Sequence, residues 1–552
     1  MTQPADAELS PGREAWSRRS VFILAAIGSA VGLGNIWRFP YVAYSNGGGA
    51  FMIPYLVALL TAGIPLLFLY YSIGHRFKGS PPLAFRRMSK RAEGLGWWQV
   101  GICFIIAVYY AVIIAWAARF AIFSAKGDLS NPEKAGAAFS NLTKADQSTL
   151  GFDYVAGVAW PLLITWIVVI AILAFGVQKG IGATSQFFVP VLVLLFIAVV
   201  IRALFLDGSG AGLDALFTPD WGALTDSSVW IAAYGQIFFS LSVGFGIMIT
   251  YSSYLKRKTN LTGAGLVVGF SNSAFEILAG IGVFAALGYM AAVQGVPVID
   301  VADSGIGLAF VAFPTIISTM WGGSIFGLLF FISLIFAGIT SLVSIIEVII
   351  SAVRDKTGMG RVPATFLVGA AATIVSMVFF PTRSGVTVLD TVDHFANEFG
   401  IVGAALTSVV VVTWLLRRLP SQRDHLNGVS SFKLGWIWMA CVGVITPIVL
   451  AYMLIDQIID TVNNGYGDYG GGLVAGFGWA LQIALIVIAV AVGFTGWHKS
   501  ADTPVESDDA VAVRELIMGA SAIVMMIVAL VTVWGGLLVS VIHLHNHPDE
   551  EE

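Results

Sequence analysis

The chain has 552 residues, of which 57% are hydrophobic and only 11% charged, and its mean hydropathy is +0.85. A soluble domain is about a quarter charged, so this composition excludes an ordinary soluble protein and calls for a chain that crosses a membrane many times. With a net charge of -4 no nucleic-acid partner is expected, and two cysteines inside apolar runs, Cys103 and Cys441, imply neither a disulfide framework nor a metal cluster.

Residues 1–19 are polar, without the apolar core and cleavage site of a signal peptide, and are expected to form a cytoplasmic N-terminal arm. Apolar runs of about twenty residues or more, the length a spanning helix needs, follow near 20–45, 51–74, 98–124, 155–175, 183–206, 229–254, 263–292, 323–352, 363–380, 387–416, 434–458, 473–497 and 512–543. The gaps on the side of the N-terminus hold 22 of the 29 basic residues, including Arg76, Lys78, Arg86 and Arg87 after the second run. The excess of Lys and Arg in cytoplasmic loops then places the N-terminus inside. Segment 512–543 is expected to be an additional C-terminal helix. If it spans, the acidic tail ends outside; if it lies on the membrane, the tail stays inside.

The first run should be one unbroken helix, yet it contains Gly28, Gly32 and Gly34, each costing roughly 1 kcal/mol against Ala in a helix. Asn35 and Arg38 follow, and such residues at membrane depth usually carry function. Close helix packing accounts for the glycines but not for Asn35 and Arg38. We read residues 28–40 as an unwound ion and substrate site, since a broken helix needs partners for its freed backbone groups. Val31-Gly-Leu-Gly34 is echoed by Val243-Gly-Phe-Gly246, five segments later. Glycine-interrupted helices in matching positions of two inverted halves mark a transporter site at the midplane. The halves are 20–206 (segments 1–5) and 229–416 (segments 6–10), followed by 434–497 (segments 11–12).

These residues carry a family likeness. The run from Gly28 to Phe51, GSAVGLGNIWRFPYVAYSNGGGAF, resembles the first helix of the neurotransmitter:sodium symporters, whose bacterial members include the leucine transporter. The likeness continues through Tyr109-Tyr110 and Trp116, Gly235–Gly246, Phe270–Glu276, Gly307–Pro314 and Phe336–Ser344, covering about residues 13–457. It implies an all-α polytopic membrane protein with an inverted five-plus-five helix repeat, broken helices 1 and 6, and twelve core spans; segment 13 has no counterpart in the bacterial leucine transporter.

The resemblance implies two sodium sites. One takes the carbonyl of Ala30, the side chains of Asn35, Asn272 and Ser240, and the substrate's carboxylate. The other takes carbonyls of Gly28, Val31 and Ala337 with the hydroxyls of Thr340 and Ser341. Neutral oxygens suit a monovalent cation without burying a full charge. A Ser or Thr in a spanning helix also bonds back to its own helix, which for Thr340 alone is the stronger reading. Monoamine members carry Asp where this chain has Gly32, so the implied substrate brings its own carboxylate, to Leu33 and Gly34 N–H groups and the Tyr110 hydroxyl. Its ammonium would meet carbonyls of Ala30, Phe239 and Ser240 and the Ser242 hydroxyl. Its side chain would lie among Ile106, Phe239, Phe245, Ser341 and Ile345, a wall that suits a neutral, hydrophobic amino acid.

Arg38 and Asp393 match the family's outer gate, with Tyr110 and Phe245 as the lid beneath it. Arg13 and Asp355 match the inner gate, with Trp16 packed nearby and Ser253 and Tyr254 holding the arginine; a topology-setting charge is an equal reading of Arg13. Glu276 stands where chloride-dependent members have Ser, beside Tyr55, Gln236, Ser240 and Asn272. The expectation is chloride-independent transport, with Glu276 taking a proton on the return step. Glu347 is a further intramembrane acid, a hydrogen-bond partner of the broken segment 6. The loop holding the sequon Asn141-Leu-Thr has no cysteines, which favours a bacterial inner membrane. No phosphate loop supports a pump, and no enzyme is expected. The expected function is sodium-coupled import of a neutral amino acid by alternating access, with an amino-acid sensor on the same fold or an osmolyte or betaine carrier as rivals. An oligomer is compatible with all three.

Overall fold

At membrane depth only a helix pairs its own backbone groups within one segment, and each long apolar run within the described residues is helical. The computed structural model describes residues 14–129, 132–145, 151, 153–302, 305–319, 321–467 and 469–498. Arg13 and segment 512–543 lie outside them. The chain begins with α1 (Arg19–Ala30) and α2 (Leu33–Ser45), which meet at 54°. Then come α3 (Gly49–Phe77), α4 (Lys90–Lys126), α5 (Ala156–Ala174) and α6 (Val177–Leu204). A second interrupted pair, α7 (Ser227–Ser240) and α8 (Ile247–Ser253), opens the second half. It continues in α9 (Leu261–Gln294), α10 (Gly323–Thr357), α11 (Arg361–Phe379), α12 (Gly385–Leu415), α13 (Trp436–Asn464) and α14 (Gly471–Gly493). Ten of these are continuous helices long and apolar enough to cross a membrane, and the α1–α2 pair makes an eleventh. The α7–α8 pair, of 14 and 7 residues, is too short on either side of its break to qualify alone.

Both breaks fall where the glycines are. Val31 and Gly32 are extended, so the helix stops after Ala30 and restarts at Leu33. Between α7 and α8 the backbone turns left-handed at Ser242 (φ 52°), Gly244 (φ 99°) and Gly246 (φ 89°). Gly pays no Cβ penalty there; Ser242 does, and its hydroxyl donates to the Ser29 carbonyl at 3.0 Å. Helices α1, α6 and α10 pack together, α10 also runs along α4, and α8 lies against α3. The site sits between these helices and the two breaks.

The N-terminal face is sealed by Trp16, which is buried, donates from Nε1 to the Tyr251 carbonyl at 2.8 Å, and donates its backbone N–H to the Tyr254 carbonyl at 3.1 Å. The contact pins the arm onto α8. On the other flank of α8, Gly74 of α3 has no room for a side chain: a Cβ there would stand 2.0 Å from the Ile249 carbonyl oxygen. Overpacked sites typically lose 1–3 kcal/mol. The exchange Gly74→Leu is therefore expected to destabilise the purified protein by about 3 kcal/mol, read as a lower thermal transition in detergent; an unchanged transition would show that α8 is not held by this approach.

Candidate functional site

The first break carries a polar cradle. The Gly32 N–H donates to Asn35 Oδ1 at 2.9 Å and the Leu33 N–H donates to the Tyr110 hydroxyl at 3.3 Å. A Cβ on Gly32 would lie 3.2 Å from both the Tyr110 hydroxyl and Ser341 Oγ, so the missing side chain leaves the space between them free. Gly34 is required for another reason: a Cβ there would overlap the Phe239 ring at 2.1 Å. The edge of that ring meets Gly34, and the Arg38 guanidinium lies over the ring with Cζ 4.8 Å from its centroid.

From this cradle a continuous hydrogen-bonded chain runs through the interior. Asn35 Nδ2 donates to Asn272 Oδ1 at 2.9 Å, and Asn272 Nδ2 donates to Ser240 Oγ at 3.0 Å. Ser240 reaches the carboxyl of Glu276, which also receives the Tyr55 hydroxyl and, at 2.5 Å, Gln236 Nε2. Glu276 is fully buried. The second group of oxygens lies where α1 ends. The last carbonyls of a helix have no intrahelical donor, and those of Gly28 and Ser29 face Ser341 Oγ at 3.4 and 3.3 Å. Gly28 packs against Thr340, whose Cβ would be 3.3 Å from a Cβ at Gly28. The Thr340 hydroxyl bonds back to its own helix, at Phe336 (2.9 Å) and Ala337 (3.0 Å). The structure thus brings Gly28, Thr340, Ser341 and Ala337 together, and separately Gly32, Asn35, Ser240 and Asn272, with Ala30 and Val31 at the break between. Both groups offer neutral oxygens, the ligands that a small hard cation accepts.

One cavity of about 380 Å³ opens onto the first break at Ser29, Ala30 and Gly32 and onto Asn35, Ser240 and Ser341. At its base are Ala30, Leu33, Gly34, Ser240, Ser242 and Ser341, and its apolar wall is Ile106, Phe239, Phe245 and Ile345. It extends past Tyr110 and Arg38 to Asp390, Asp393, His394, Glu398 and Tyr466 near the face opposite the N-terminus. Every expected substrate-binding residue lines it.

The gate expected at Arg38 differs from expectation, while the Arg13 of the other gate lies outside the described residues. Arg38 does not pair with Asp393 but with Glu398, NH2 to Oε1 at 3.0 Å. Asp393 is engaged instead by Asn397 Nδ2 at 2.9 Å and by the Tyr109 hydroxyl. The wide π-turn Ala396–Ile401 explains the exchange, because its extra residue per turn swings Glu398 toward the vestibule. At the N-terminal face Asp355 accepts the Ser80 N–H at 2.8 Å. The Tyr254 hydroxyl donates to Glu347 Oε1 at 2.7 Å. Glu347, fully buried, grips Arg361 with both oxygens, at 2.8 and 2.7 Å. Arg361 also donates to Glu14 Oε2 at 2.9 Å and to the Leu173 carbonyl. Glu398, Glu14 and Arg361 were not foreseen. The signal for Arg361 was there, since a buried acid such as Glu347 demands a cation.

The chain matches the sodium:neurotransmitter symporter family over residues 13–141 and 139–500. Residues 518–552 match a second family, described as "Putative methionine and alanine importer, small subunit". An uncharacterized sodium-dependent transporter of Methanocaldococcus jannaschii is 41% identical over 484 residues, covering 87% of this chain and 97% of the relative. The sodium- and chloride-dependent glycine transporter 2 of Xenopus laevis is 29% identical over 90% of this chain and 70% of its own length. Among solved structures, MhsT in complex with L-phenylalanine matches with a TM-score of 0.70 and 32% identity, covering 80% of this chain and 99% of that one.

Removing one partner of a buried ion pair costs about 3–5 kcal/mol, because the other charge is left stranded. Glu347→Ala is therefore expected to destabilise the protein by about that amount, measured by thermal unfolding, whereas Glu347→Leu with Arg361→Leu should recover much of the loss. A double replacement as damaging as the single one would mean that the pair is not the relevant interaction.

Proposed function

Because this chain belongs to the sodium:neurotransmitter symporter family, we propose that it imports a neutral amino acid by alternating access, with two sodium ions bound on the way. The observation that carries the reading is the absent side chain at Gly32: it leaves the Tyr110 hydroxyl and Ser341 facing a gap where a substrate carboxylate fits. The Leu33 and Gly34 amides lie at a helix N-terminus, which favours an anion. Carbonyls at the end of α1 and in the α7–α8 break suit the ammonium. Ile106, Phe239, Phe245 and Ile345 form an apolar wall without a full charge, which selects against acidic and basic side chains.

The first sodium is assigned to Ala30, Asn35, Ser240 and Asn272 with the substrate carboxylate, and the second to Gly28, Val31, Ala337, Thr340 and Ser341. Methionine and alanine are the first candidates for substrate, on the strength of the name carried by the family that residues 518–552 match. That segment is read as a small-subunit-like sequence joined to the transporter in one chain. The N-terminus is assigned to the cytoplasm and the chain to a bacterial inner membrane. A carboxylate at Glu276 stands in for chloride, with Tyr55, Gln236 and Ser240 donating to it, and it takes a proton when the empty carrier returns.

Uptake of labelled methionine and alanine into proteoliposomes, with an inward sodium gradient and then with potassium in its place, tests the assignment. Accumulation is expected only with sodium; accumulation in potassium would remove both ion sites. Wild-type uptake should not change when chloride is replaced by gluconate, whereas Glu276→Ser should depend on chloride. A Glu276→Ser variant that is active and indifferent to chloride would overturn the role of the carboxylate.

A further inference from the structure

Resting on the alternating-access reading, we propose that Glu398 is the residue that holds the outer gate open, and that closure hands Arg38 from Glu398 to Asp393. Three observations carry this. Arg38 is bound to Glu398 at 3.0 Å while the cavity beside it extends from Ala30 to Tyr466. Asp393 lines that same cavity, and its carboxyl is occupied by Asn397 and Tyr109 rather than by a cation. The two carboxylates lie five residues apart on α12, and the π-turn Ala396–Ile401 falls on this interval. In a regular α-helix, with 3.6 residues per turn, that interval would put them on different faces; a wider turn brings them toward one face.

Arg38 thus has two anions along one helix face. The half-buried pair with Glu398, in which the two side chains are 31% and 17% exposed, keeps water around it. Such a pair contributes little and exchanges readily. The deeper Asp393 becomes the better partner once substrate excludes that water, because a charge pair gains strength as the surrounding dielectric falls. The Phe239 ring beneath the guanidinium links the movement to the substrate wall, since the edge of the same ring meets Gly34 of the first break.

The experiment reads gate opening directly and needs no substrate. Cys103 and Cys441 are buried, so a cysteine introduced by Ile306→Cys, at the cavity rim, becomes the reporter for a membrane-impermeant methanethiosulfonate in sodium medium. This background must first retain sodium-driven uptake. Adding Glu398→Gln should slow modification roughly three- to tenfold, as expected when an equilibrium shifts by about one weak ion pair. Glu398→Ala should do the same, Glu398→Asp should restore most of the rate, and Glu398→Gln with Asp393→Asn should restore it too, because Arg38 then has no inner partner. An unchanged or faster rate in Glu398→Gln overturns the proposal. So does a double variant that stays slow, which would separate the slowing from Asp393. A wrong substrate assignment would leave all of these rates intact, so failure of this inference and failure of the transport reading are distinguishable.

Discussion

A backbone that leaves the helix inside a bilayer must find other partners for its amides and carbonyls, and the centre of this protein is built around the two places where that happens. At the end of α1 the Gly28 and Ser29 carbonyls are met by Ser341 and Ser242, and at the start of α2 the Gly32 and Leu33 amides are met by Asn35 and Tyr110. Asn35 lies on α2 itself and Ser242 in the α7–α8 break, while Tyr110 and Ser341 come from α4 and α10. Each is a side chain that can rotate, so the groups that satisfy the backbone are the ones that would turn toward the ligands proposed above. The break is tolerable and useful for the same reason.

Charge is distributed to match. Apart from Glu276, the centre offers neutral oxygens, while full charges sit toward the two ends: Arg38 with Glu398 on one side, Arg361 with Glu347 and Glu14 on the other. The two ends are built differently. The Arg38–Glu398 pair, at the end away from the N-terminus, is single and partly exposed. The other is a bidentate grip on a fully buried carboxylate, reinforced by the Tyr254 hydroxyl and the Leu173 carbonyl. Parting the cluster at the N-terminal face means separating several bonds on four helices and the arm, a heavier task than parting the single Arg38–Glu398 pair.

Much of this was legible in the sequence, because it rests on periodicity and on residues that are costly in lipid. Twelve of the thirteen apolar runs correspond to described helices or helix pairs, and both breaks were marked by Gly-x-Gly. The cradle residues Gly32, Asn35, Tyr110, Ser240 and Asn272 could be named because each is out of place in a plain spanning helix. Partner choice was less legible. Glu398 and Asp393 are equally acidic on paper, and the π-turn that holds Glu398, beginning at Ala396, sets which of them faces Arg38. Likewise Arg361 read as one more basic loop residue: the demand of an intramembrane Glu347 for a cation was legible, but not that Arg361, fourteen residues later, supplies it.

The chain from Gly32 to Glu276 has a direction. Each link donates the same way: the Gly32 amide to Asn35, Asn35 to Asn272, Asn272 to Ser240, and Ser240 onward to the carboxyl. A cation bound as proposed between the two asparagines would demand their oxygens and repel their NH2 groups, so it would turn the amides and cut the chain in the middle. The Ser240 hydroxyl would then lose the donor behind it, and the carboxyl at the far end would experience the change without any helix having moved. Occupancy of that site would be legible at Glu276 as the polarity of a single hydrogen bond, a signal carried by side-chain rotation alone.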